Sequence, residues 1–180
     1  MKALLISSAA VLVSTSVMAA DFKVDPAHSF VTFEVGHLGV STTTGRFNEF
    51  EGSFNLADEG KSGNAEFTIQ AASVDTNHEA RDKHLRSPDF LDVKQFPTIT
   101  FKSTSFDGEE LKGDLTIHGV TKPVTFEVEK VGEGNDPWGG YRAGFEASTT
   151  IKRSEFGVSY FIPGVTDETE IDVFIEGIRQ

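Results

Sequence analysis

Apolar and polar residues alternate with a period of two along most of the chain beyond residue 28, a rhythm that gives a β-strand one dry face and gives a helix none. The dry sets are Val31, Phe33 and Val35, then Phe50, Phe54 and Leu56 around Gly52, then Ala65, Phe67, Ile69 and Ala71. Ile99 and Phe101 follow, then Leu111, Leu115 and Ile117 around Gly113, then Val124, Phe126 and Val128. The series closes with a run from Tyr141 through Ala143, Phe145 and Ala147 to Ile151, and with Ile171, Val173 and Ile175, which makes eight strands. Turn chemistry separates them at Asp107-Gly108, over His118 to Pro123, and over Gly132 to Pro137. Short links imply an up-and-down meander, and eight strands with one dry face each close into an antiparallel barrel, with a two-sheet sandwich as the alternative. The expected fold class is all-β.

One stretch breaks the rhythm. Between the third and fourth strands, Ser73 to Pro97 holds a capping-box spelling, Thr76-x-x-Glu79, and a Ser87-Pro88 helix start. Two short helices are expected in this insert, either to build a site or to plug one end of the barrel.

The interior face says more about function than any motif. Phenylalanine occurs sixteen times against one tryptophan and two tyrosines, and a ring with no polar handle belongs in a dry interior. The eight dry sets contain no charged residue, and Gly52, Ala65, Ala71, Gly113, Ala143 and Ala147 stand among the bulky ones. Small residues there either leave an apolar tunnel or are filled from the opposite wall. On the tunnel reading, a phenylalanine at Ala143 enters ligand space and leaves stability nearly intact.

The first twenty residues have the layout of a secretory signal peptide: Lys2, an apolar stretch, then small residues, with cleavage expected after Ala19 and after Ala20 as the alternative. Residues 20–180 then form a single exported domain in the periplasm, with no stable membrane insertion. Cysteine is absent, so neither a lipidated cysteine nor a disulfide contributes. Without Lys2 the balance is 15 basic residues against 28 acidic ones, a charge that repels nucleic acid and anionic membrane surfaces.

Positive signs of catalysis are lacking. His28, His37, His78, His84 and His118 make no metal-ligand spacing on one element, and neither a nucleophile elbow nor a phosphate loop is present. No catalytic and no metal residue is assigned. A convergence of strand-end histidines at a barrel mouth, acting on an apolar substrate, is the enzymatic alternative, and a filled barrel serving as an interaction module is the other.

Six motifs in order carry a resemblance. They are D-x-x-H-S-x-V-x-F-x-V-x-H-L-G at Asp25–Gly39, G-R-F-x-x-F-x-G at Gly45–Gly52 and the segment Ser73–Asp92. G-D-L-T-I-H-G-V-T-K-P-V at Gly113–Val124, D-P-W-G-G at Asp136–Gly140 and R-S-E-F-G at Arg153–Gly157 complete the set. With these the chain resembles the YceI-like family of lipocalin-like, polyisoprenoid-binding proteins of the bacterial periplasm. The resemblance implies a barrel whose tunnel holds a polyprenyl lipid or an isoprenoid quinone, for transport, storage or stress protection. It also implies no enzymatic activity, no required cofactor, and a homodimer as one form. The tunnel walls would be Val31, Phe33, Val35, Phe50, Phe54, Phe67, Ile69, Ile99 and Phe101, continued by Gly113, Leu115, Ile117, Phe126, Ala143, Phe145, Ala147 and Val173.

Overall fold

The computed structural model describes residues 19–57 and 60–180, and in it the chain closes into an eight-stranded antiparallel barrel. The expected signal peptide lies outside the described residues as far as Met18. Strands β1 (Ala20–Val24) and β2 (Phe30–His37) run in line, as do β3 (Ser41–Phe47) and β4 (Phe50–Ala57). Together they form one long hairpin, with Ala20 opposite Leu56 at one end and His37 opposite Ser41 at the other. The meander continues through β5 (Ser62–Gln70), and, past the insert that holds β6 (Val74–Asp75), through β7 (Thr98–Phe106), β8 (Glu110–Ile117), β9 (Val120–Asn135) and β10 (Tyr141–Lys152). Strand β11 (Val165–Arg179) seals the ring, pairing with β10 on one edge and with β2 and then β1 on the other.

Two links are tighter than expected. The β8–β9 hairpin turns on His118 and Gly119 alone, both with positive φ, which is the two-residue turn whose twist matches paired strands. Pro123 is therefore inside β9, opposite Asp114, and β9 runs on through Gly132 and Gly134. The bend before β10 is built by Asp136, whose carboxylate accepts the N–H groups of Trp138 and Gly140.

The insert differs from expectation. It holds the two-residue strand β6 (Val74–Asp75), which pairs with the end of β3, and one helix, α1 (Glu79–Leu85). Thr76 does not cap the helix. Its N–H and hydroxyl both donate to Asp82, Asn77 takes a φ of 59°, and His78 becomes the cap by accepting the Arg81 N–H. After Ser87 the chain makes a series of turns and not a second helix. Among the described residues no helix is long and apolar enough to cross a membrane.

Candidate binding cavity

The barrel is not filled. An apolar cavity of about 260 Å³ runs inside it, where packed interiors normally leave few voids larger than a water molecule. Its wall follows β11 from Val165 to Ile175, roughly 30 Å along the strand and about 25 Å along the barrel axis at the tilt such barrels adopt. Leu85, Phe90 and Leu91 of the insert contribute to the lining together with Val165, while Asn55, Asn64 and Phe106 line it where β4, β5 and β7 approach their outer turns.

The bore stays open because phenylalanine rings lie flat on glycines of the neighbouring strand. A Cβ built on Gly45 would stand 2.2 Å from Phe33 Cζ, and one on Gly52 2.5 Å from Phe67 Cδ1. Gly113 lies under the Phe101 ring in the same way, and Gly177 under the Phe54 ring, which reaches it across β1. These four glycines therefore receive rings, whereas Ala65 and Ala147 face the cavity.

Val31, Phe33, Val35, Phe54, Phe67, Ile69, Ile99, Phe101, Leu115, Ile117, Phe126, Phe145, Ala147 and Val173 stand on the cavity wall. Phe50, Gly113 and Ala143 do not. Gly113 is covered by the Phe101 ring and backed by the Lys102 carbonyl. Phe50 and Ala143 pack in one cluster with Phe54, Ile175 and the Phe22 and Val24 side chains that β1 inserts on that side of the barrel. Phe22 stacks on Phe54 at 4.9 Å between ring centres, and Ala143 is 1% exposed. A phenylalanine at Ala143 has no lumen to enter, so the near-neutral substitution expected from the tunnel reading does not fit the packing.

Of the polar residues on the wall, which also include Thr32, Asn55 and Asn64, two stand directly beyond the dry sets read from the sequence. Arg153, at the end of β10, is the one charged residue of the lining among the described residues. It is buried, and its N–H groups donate to the carbonyls of Thr166, Val158, Tyr160 and Val165. Burial pushes its guanidinium below the usual arginine range, with Asp167 opposing. Thr169 of β11 takes the next inward position before Ile171 and Val173, and its buried hydroxyl has no hydrogen-bond partner. The sequence signal for both is the period-two alternation itself, which continued two residues past Ile151 reaches Arg153 and two residues back from Ile171 reaches Thr169.

The histidines fall at separate places. His84 bonds Asp89 and packs edge-on against Phe90 and Tyr160, while His118 packs on Phe96. Among the described residues, Asp25, His28 and Glu176 form the one group with metal-like spacing, their ligand atoms within 4.8 Å of one another. The Arg142 guanidinium already occupies that group: it donates to Asp25 at 2.8 Å, to Asp136 at 3.0 Å and to Glu176. These bonds, Arg142 first and His28 second, hold the Asp25 carboxyl down at about 2. Asp75, Asp107, Asp136 and Asp167 are lowered in the same direction, chiefly by backbone N–H donors. A folded-state pKa below the unfolded one gives stability that is complete above about pH 4 and lost as pH falls toward 2. The thermal midpoint should drop across that window, and Asp25→Asn should flatten part of the drop. A midpoint constant from pH 4 to 2 contradicts the assignment.

Comparison with known proteins gives a consistent result. The family described as YceI-like domain matches residues 22–177. A UPF0312 protein of Pseudomonas aeruginosa is 49% identical over 170 residues, covering 91% of this chain and 89% of the relative. Protein YceI of Escherichia coli O157:H7 is 46% identical over 172 residues, covering 92% and 90%. Among solved structures, BcnA of Burkholderia cenocepacia superposes with a TM-score of 0.76 at 27% identity, covering 85% of this chain and 98% of that one. A domain of Saccharophagus degradans described as polyisoprenoid binding shares the fold, with a TM-score of 0.66 at 16% identity and coverage of 88% and 98%.

Proposed function

Because the chain belongs to the YceI-like family, we propose that it is a periplasmic binding protein that holds a long polyisoprenoid or isoprenoid-quinone lipid along the barrel axis. The observation that carries the reading is the apolar lumen. An empty cavity of about 260 Å³ would cost about 6 kcal/mol at the usual penalty per unit volume, comparable with the whole stability of a domain. A hydrocarbon occupant removes that cost. Each buried CH₂ contributes about 0.8 kcal/mol, so a five-carbon prenyl unit offers roughly 4 kcal/mol before chain ordering is subtracted. Affinity comes readily, and chain-length preference falls to the length of the lumen.

Two further observations support holding over catalysis. The charge on the lining, Arg153, is engaged by four backbone carbonyls, two in the β10–β11 crossing and two at the start of β11. The His–carboxylate group lies about Arg142, away from the residues that line the lumen. Export fits the start of β1 at Ala20, since loss of residues 1–19 leaves that strand whole. The description of the Saccharophagus degradans domain accords with such a use of the fold. Organic-solvent extraction of protein purified from the periplasm, followed by mass spectrometry, should return a prenyl-bearing lipid near one per chain. The stripped protein should melt at a lower temperature and recover when the lipid is restored. An extract without lipid, from protein as stable as the stripped form, overturns the reading.

A further inference from the structure

The inward face of β11 reads Thr169, Ile171, Val173 and Ile175, and all four line the cavity. Thr169 is the odd member. It is 9% exposed, sits between Ile151 of β10 and Val35 of β2, and its Oγ1 is buried without any hydrogen-bond partner. Other threonines near it are satisfied: Thr166 Oγ1 donates to the Glu168 carbonyl and accepts the Gly36 N–H, and Thr32 Oγ1 donates to the Asp172 carbonyl. A buried hydroxyl left unmatched is costly, and valine would fill the same wall space without the cost. One staggered step of χ1 carries Oγ1 to the position that the methyl group holds, on a residue that lines the cavity.

We propose that Thr169 is the anchor for the polar end of the bound lipid, donating its hydroxyl proton to an acceptor oxygen on an uncharged head such as a carbonyl or alcohol. The inference rests on the carrier reading above and fixes the polarity of the bound chain. The head lies at the end of the lumen near Arg153 and the insert, with the tail directed toward Leu56, Phe106 and Leu111, beside Asn55 and Asn64, where the Asn55 side-chain carbonyl already accepts the Asn64 N–H. An uncharged head fits because the surroundings, Val35, Ile151, Phe156 and Val165, are apolar and four of the five Arg153 N–H groups serve the carbonyls of Val158, Tyr160, Val165 and Thr166. A desolvated phosphate would need several donors there, and one hydroxyl does not supply them.

The test compares wild type, Thr169→Val and Thr169→Ser, each stripped of lipid, for binding of a tetraprenyl quinone and of squalene, which has no oxygen. Wild type should bind both. Thr169→Val should weaken the quinone by about tenfold, the worth of one hydrogen bond, and leave squalene unchanged. Thr169→Ser should keep the wild-type ratio. An unchanged quinone-to-squalene ratio in Thr169→Val overturns the anchor and leaves the carrier reading standing. Binding of neither compound by wild type overturns the carrier reading and the anchor with it.

Discussion

Arg153→Met should lose about 3 kcal/mol of stability, because it leaves one buried carbonyl and three part-buried ones without this donor, and an unmet buried group costs about 1–3 kcal/mol. The guanidinium gathers Thr166 O at 2.8 Å, Val158 O and Val165 O at 2.9 Å and Tyr160 O at 3.1 Å. Val158 and Tyr160 belong to the crossing from β10 to β11, where residues 157–164 are outside any strand, and Val165 and Thr166 open β11. Methionine preserves the apolar stem and the packing, so the loss isolates the hydrogen bonds. Lysine carries three donors on a point charge and lacks the planar fork, so Arg153→Lys should fall between methionine and wild type. The measurement is the urea midpoint with the slope held constant. A shift below about 1 kcal/mol for methionine would mean that water reaches those carbonyls.

Gly45→Ala should fold and yet carry several-fold less lipid. The added Cβ meets Phe33 Cζ at 2.2 Å, Cε1 at 2.7 Å and Cε2 at 2.9 Å, and no backbone atom is among its nearest contacts. The ring yields, and since Phe33 is part of the cavity wall, its free direction is the lumen. Crowding of this kind commonly costs about 1–3 kcal/mol, so the protein should stay folded while its bore narrows. Phe33→Leu in the Gly45→Ala background should restore the lipid, and the pair should be non-additive as contacting residues are. Full lipid content in Gly45→Ala would place the ligand outside this lumen. Gly113→Ala is the poorer probe, because its Cβ also meets the Lys102 carbonyl at 2.6 Å.

The eight-strand rhythm was legible because one dry residue in two is a direct imprint of a half-buried sheet. Strand β3 escaped because its inward positions are Thr43, Gly45 and Phe47, with one bulky apolar residue among three. Strand β1 escaped because Phe22 and Val24 are followed at once by Asp25-Pro26. Both strands extend ones that the rhythm had already located, so the barrel count survived. The role of the small residues was not legible. Whether Gly113 is space or a seat for Phe101 depends on a diagonal neighbour across the β7–β8 ladder, and the register is set by a bulge between Ser103 and Ser105. Arg153 and Thr169 were missed for a simpler cause: a polar residue at an inward position looks like the end of the dry face.

Closure by β11 has a consequence for the order of folding. The last strand pairs with β10 made just before it, but also with β2 and β1 at the far end of the chain, and the Gln180 N–H donates to the Asp21 carbonyl. Loop closure over such separations is entropically expensive, and topologies dominated by distant pairs fold slowly. Until residues 165–179 are available, β10 and the β1–β2 stave present two unpaired edges, the arrangement that invites pairing with another chain. The barrel can seal only from its carboxyl end, and a hydrocarbon chain present at that moment can be enclosed in one step, without having to thread a finished tube.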